Sequence, residues 1–163
     1  MSGPTTEHVH IAPARAANSE EPPRAQTPDE DAEDDALFGP LPERPALAPL
    51  VNPQGPRVEQ GPLLVAPTTS VPEAVVRRVI RVHFGKFRLC YDKELEKNAQ
   101  SSAFVTARFR ITSQGKTERI RLLGDAVSSD FSECLATSFR NISYPTSTGT
   151  TTRVQVSVVF SPN

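Results

Sequence analysis

The sequence predicts an α+β fold of element order αββαβ over residues 70–163, preceded by a disordered arm over residues 1–69. Three observations predict it: two segments repeat their apolar residues every three or four positions, three repeat them every second position, and composition changes abruptly near residue 70. Of the 16 prolines, 13 fall in residues 1–70, a stretch that holds 4 Lys+Arg against 11 Asp+Glu. Residues 71–163 hold the remaining 14 against 8. A chain of formal net charge −1 is therefore an acidic, proline-rich arm joined to a basic domain.

Within the arm, the acidic run Asp29-Glu30-Asp31-Ala32-Glu33-Asp34-Asp35 repels itself and has little apolar surface to bury, so it is expected to stay disordered. Pro40, Pro42, Pro45, Pro49, Pro53 and Pro56 then favour extended conformations and a semi-rigid spacer.

Ser70 is expected to cap a first helix that opens with Pro72 and Glu73 and continues to about Lys97. Val76, Val79, Ile80, His83, Phe87, Cys90 and Tyr91 share one face of it. Gly85, a poor interior helix residue, marks an expected bend or close contact. Over residues 105–111 the period changes to two, with Val105, Ala107, Phe109 and Ile111 on one side and Thr106, Arg108 and Arg110 on the other. Ser113-Gln114-Gly115-Lys116 is a turn, and a second strand alternates Ile120 and Leu122 with Arg119 and Arg121. Ser128, Ser129 and Asp130 offer caps for a shorter helix that carries Phe131, Cys134, Leu135 and Phe139, and Asp130-x-x-Glu133 resembles a capping box. A final strand places Val154, Val156, Val158 and Phe160 on one face. One apolar sheet face and two apolar helix stripes pack most simply as two layers: a three-stranded antiparallel sheet with both helices on one side.

Cys90 and Cys134, the only cysteines, each sit in a helical segment and point into the same layer. They read as a staple between the helices or as two buried thiols. His83 lies on the apolar face and reads as a core histidine, and His8-x-His10 as a weak metal contact at most. No metal site is expected, since no close pair of ligands accompanies Cys90. Catalysis has no support either. Ser128, Ser129 and Ser132 lack a glycine-flanked elbow, Asp125 and Asp130 lack a matched carboxylate, and Gly115 and Gly124 form no phosphate loop. No cofactor and no catalytic residue are expected.

Arg108, Arg110, Arg119 and Arg121 form a basic face on the hairpin, and Arg77, Arg81 and Arg88 line the first helix. Such a face is ordinarily solvated; the alternative is that the acidic arm contacts it. No aromatic residues interleave with these arginines to stack bases, and no helix-turn-helix or zinc pattern is present, which argues against nucleic acid.

No apolar run approaches the roughly 20 residues needed to span a bilayer, so no membrane insertion by this chain is expected. Met1-Ser2-Gly3-Pro4 does not open a secretory signal. By its own sequence the chain is expected in the cytoplasm, in conflict with an oxidised cysteine pair.

Val79-Ile80-x-x-His83, Cys90-Tyr91-x-x-x-Leu95, Phe109-x-Ile111-x-x-x-Gly115, Cys134-Leu135 and Tyr144-Pro145 follow one another before the valine-rich last strand. In that order they resemble the AgmX/PglI C-terminal domain, a TonB-like module of myxobacterial and related proteins. The resemblance covers residues 71–163. It implies a TonB-like αββαβ fold, a periplasmic or envelope-associated setting in which Cys90 and Cys134 form a disulfide, and a part in envelope-spanning protein contacts such as motility or transport machinery. On this basis the chain is expected to be a non-enzymatic protein-binding module. The last strand (Arg153, Val154, Gln155, Val156, Ser157, Val158, Val159 and Phe160) is expected at a sheet edge, where a partner peptide adds as a further strand. The alternative is a cytoplasmic interaction domain with reduced cysteines, meeting an acidic protein or nucleic acid through its basic face.

Overall fold

A computed structural model of the chain describes residues 28–46, 55–67, 70–125 and 127–162. His8 and His10 lie outside them. The elements are α1 (Pro28–Phe38), β1 (Arg57–Val65), α2 (Glu73–Val82), α3 (Phe84–Lys97), β2 (Ala103–Ile111), β3 (Thr117–Gly124), α4 (Ser129–Arg140) and β4 (Thr152–Ser161). The four strands make one antiparallel sheet in the order β1-β4-β2-β3. The α+β class and the antiparallel sheet agree with the sequence analysis; the expected three strands and two helices become four and four. Two of the additional elements, α1 and β1, come from stretches that composition assigns to a disordered arm.

The other comes from a break in the first helix. His83 sits between α2 and α3 with φ −90° and ψ 0°. Its ring Nδ1 hydrogen-bonds the Val79 carbonyl at 2.9 Å, the acceptor a regular helix would offer to the His83 amide. That amide turns instead to the Ile80 carbonyl at 2.9 Å. A side chain competing for its own helix's carbonyl thus produces the interruption. Gly85, where a bend was expected, lies just beyond it in open surroundings. Nor does Ser70 cap α2. The helix begins after Pro72, and the Ser70 hydroxyl donates to the Thr150 carbonyl at 2.8 Å, tying the chain entering α2 to the connection that precedes β4.

At α4 the cap is Ser128, whose Oγ accepts from the Phe131 amide at 3.2 Å. The same hydroxyl donates to the Glu94 carboxylate of α3, so the cap also joins two helices. Asp130 is not part of a capping box with Glu133. It pairs across the helices with Lys97, which holds its carboxyl below the usual range and raises Lys97 in turn.

The β2–β3 hairpin has the expected alternation up to one irregularity. Register shifts between Arg108 and Arg110, and Arg119 on the facing strand takes a left-handed backbone with φ 51°. In the hairpin turn Gly115 also has positive φ, 77°, and a Cβ there would stand 2.0 Å from the Tyr144 carbonyl oxygen. Only glycine lets the turn pack this close, and the Gly115 carbonyl accepts from the Tyr144 amide at 2.8 Å.

The core lies between the sheet and α2, α3 and α4. Val76, Ile80, Phe87, Tyr91, Phe131, Leu135 and Phe139 meet Val105, Ala107, Phe109, Ile111, Val154, Val156, Val158 and Phe160. Phe87 and Phe139 approach to 4.6 Å between ring centres, and Phe131 meets Phe160 edge-on at 5.1 Å. Burial pushes the Tyr91 hydroxyl up to about 12, with Glu94 adding to the shift, and burial raises Tyr144 as well. Cys90 of α3 and Cys134 of α4 form a disulfide with their Cα atoms 5.7 Å apart.

The bridge closes a loop with a sequence separation of 44. By chain entropy it contributes about 4 kcal/mol. The double substitution Cys90→Ala/Cys134→Ala is expected to lower stability by that order, which urea unfolding of both forms checks.

Candidate interaction surfaces

β4 is the strand on which the expected binding site was placed, and its position corrects that expectation. It is not an edge strand. β2 pairs with it from Ala103↔Phe160 to Ile111↔Thr152, and β1 pairs with its other side from Arg57↔Ser161 to Val65↔Val154. Nearly all of β4 is buried, because helices cover one of its faces while the opposite face is itself largely covered. Backbone polar groups taken out of water in such a setting need hydrogen-bond partners, and β4 has them on both sides. The edge that β2 leaves is therefore taken by β1, a segment from outside the αββαβ unit.

β1 fits this edge imperfectly. Val58, Leu63 and Val65 reach the core side, opposite Phe160, Val156 and Val154. Between Gln60 and Leu63 the register shifts, and Gly61-Pro62 occupy the irregularity. Gln60 stands opposite Val158 on the apolar side, and its side-chain amide is buried with no hydrogen-bond partner among the described residues. Leu64 is 46 % exposed. Residues 57–65 carry no sustained period-two alternation, and glycine and proline in the middle ordinarily mark a strand as broken. Here the bulge absorbs both.

The second surface is the sheet face away from the three core helices. Thr106, Arg108, Arg110, Arg153, Gln155 and Ser157 lie on it, with Arg121 beside Arg108. Thr106 and Ser157 share a hydrogen bond of 2.9 Å across the strands. The register sets like charges opposite one another: Arg108↔Arg121 and Arg110↔Arg153. Such pairs repel unless anions intervene.

The anions come from α1. Arg108, only 2 % exposed, donates from Nε to Gln155 Oε1 at 2.7 Å, from one terminal nitrogen to Asp35, and from the other to the Gly39 carbonyl at 3.0 Å. The Phe38 ring lies 5.7 Å from its guanidinium carbon. Arg110 reaches Asp34 at 3.4 Å, and Arg153 reaches Glu33 at 3.2 Å and Asp34 at 3.7 Å. The basic face is thus contacted by the acidic segment rather than solvated throughout: Arg108 is buried, and Arg110 and Arg153 are partly covered. Arg119 and Arg121 on β3 stay half-buried, and Arg77 pairs with Glu73 one helical turn away.

No family model, curated protein or solved structure matches the chain. Among the described residues no helix is long and apolar enough to cross a membrane, and no group of three or more His, Cys, Asp or Glu is placed to hold a metal ion.

Removing Arg108 takes away packing as well as charge and leaves Gln155 Oε1 without its donor. Arg108→Ala is expected to cost about 2–4 kcal/mol in urea unfolding. Asp35→Asn, at the exposed end of the same pair, is expected to cost about 1 kcal/mol or less.

Proposed function

We propose that the chain is a non-enzymatic, TonB-like protein-binding module of the cell envelope that takes up an extended partner peptide at the β4 edge, in the place β1 occupies. A setting such as motility or transport machinery follows from the resemblance of residues 71–163. One observation carries the reading: a segment outside the αββαβ unit adds to that unit as an antiparallel strand. The edge is therefore suited to strand addition, with hydrogen bonds supplying affinity and alternate side chains supplying selectivity.

Two features support β4, rather than an outer edge, as the docking strand. The outer strands are both irregular, β1 at Gly61-Pro62 and β3 at the left-handed Arg119, and such irregularities discourage further pairing. β1 is also an occupant that can be improved upon. Burying the unpartnered Gln60 amide costs about 1–3 kcal/mol, which a partner with an apolar residue at that position does not incur.

The test is a nuclear magnetic resonance titration of the isotope-labelled full chain with a synthetic peptide of residues 57–65 carrying Q60L. Amide shifts are expected along β1 and β4. Changes confined to Arg119, Arg121 and their neighbours would remove the β4 edge from consideration. The compartment has a separate check. Acid-quenched thiol titration of the chain from its native cells is expected to find no free Cys90 or Cys134, whereas two free thiols support the cytoplasmic alternative.

A further inference from the structure

The arginine face under α1 is a second surface, separate from the β4 edge and independent of any strand exchange there. Six of the 11 residues of α1 are acidic and none is basic. A helix of that composition repels itself and is not expected to persist alone. It is held to the sheet by Glu33, Asp34 and Asp35 against Arg153, Arg110 and Arg108, and by Phe38 over the Arg108 guanidinium. Apolar burial assists it only in part: Leu37 remains 39 % exposed.

The contact is complementary from both sides. Like-charged pairs Arg108–Arg121 and Arg110–Arg153 sit opposite each other in the sheet, and nearby carboxylates relieve their repulsion. The face therefore favours an acidic occupant over solvent alone. α1 holds the position with the help of its tether, since residues 39–56 connect it to β1 and keep its local concentration high. Nor does it fill the surface. A cleft of about 490 Å³ is lined by Asp35, Gly39, Leu41, Arg108, Arg121 and Leu123.

We propose that this face is a docking surface for an acidic, aromatic-bearing segment of a partner protein, with α1 as the tethered occupant that such a segment displaces. Recognition combines carboxylates spaced to meet Arg108, Arg110 and Arg153 with an aromatic ring stacked on Arg108. Partner binding then releases residues 28–38 from the sheet.

The probe is a fluorescein-labelled synthetic peptide with the sequence of residues 28–41. It is titrated into the full chain and into the same chain carrying Asp34→Asn and Asp35→Asn, which weakens the resident α1 while keeping every arginine. Fluorescence anisotropy is expected to show binding about tenfold tighter to the variant. Raising sodium chloride from about 50 mM to about 500 mM is expected to abolish the gain. A scrambled peptide of the same composition is expected to bind at least about tenfold more weakly, because it cannot satisfy the arginines and stack its ring together. Equal binding to both chains, or equal binding of the scrambled peptide, overturns the proposal. Tighter binding of a short DNA duplex than of the peptide also overturns it and assigns the face to nucleic acid.

A measurement on the unaltered chain keeps the proposal open to refutation if the double variant does not fold. Saturating unlabelled peptide should accelerate hydrogen exchange of the α1 amides while leaving those of β1 unchanged. Unchanged α1 exchange rejects displacement at this face. Accelerated β1 exchange with α1 unaffected places the peptide at the β4 edge instead, so the two surfaces fail separately.

Discussion

Every backbone amide and carbonyl that folding takes out of water needs a partner, and β4, buried along nearly its whole length, finds them on both sides. That constraint organises the molecule. The β2–β3 hairpin satisfies one side of β4, and the other side demands a further strand, which the αββαβ unit does not contain. β1 meets the demand at the expense of a bulge and a buried glutamine amide. Backbone pairing outweighs these local defects because several ladder hydrogen bonds form together, while the bulge and Gln60 disturb only the middle of the strand.

The outer face obeys a parallel constraint in side-chain terms. Antiparallel register brings Arg108 against Arg121 and Arg110 against Arg153, so charge accumulates where the neighbouring strands leave no room for it to spread. Gln155 and the Gly39 carbonyl each take one donor of Arg108, and the acidic helix supplies carboxylates to Arg108, Arg110 and Arg153. The opposite charge balances of the N-terminal and C-terminal parts of the sequence thus become a contact. The same N-terminal segment closes the β4 edge with β1 and covers the arginine face with α1. The flank of β4 and the arginine face are both occupied in cis by the N-terminal part of the chain.

Beneath the sheet, the helices depend on different interactions. The disulfide fixes α3 to α4, and the Ser128 hydroxyl between the Phe131 amide and Glu94 ties the same pair at its other end. Lys97 and Asp130 add an exposed pair there, which contributes little by itself. The break at His83 lets α2 and α3 follow the sheet separately, so that Val76 and Ile80 of one and Phe87 and Tyr91 of the other all reach the same core.

Period and spacing alone determined much of this protein: the strand faces of β2 and β4, the apolar stripe from Val76 to Tyr91, the cap region at Ser128, and the placing of Cys90 and Cys134 in one layer. These are local properties, set by which side chains avoid water at each step of a helix or strand. The helix break escaped such reading because it turns on the His83 ring outcompeting its own amide for one carbonyl. The acidic arm was legible as a contact for the arginines by charge alone, but the second partner of β4 and the ordered helix that meets the arginines escaped that reading for a deeper reason. Pairing across the sheet joins residues far apart in the chain, and neither the weak strand at residues 57–65 nor the self-repelling helix at 28–38 is stable without the surface that receives it. Tertiary structure decided both, since only the folded sheet presents the free flank of β4 and a cluster of arginines for those segments to meet.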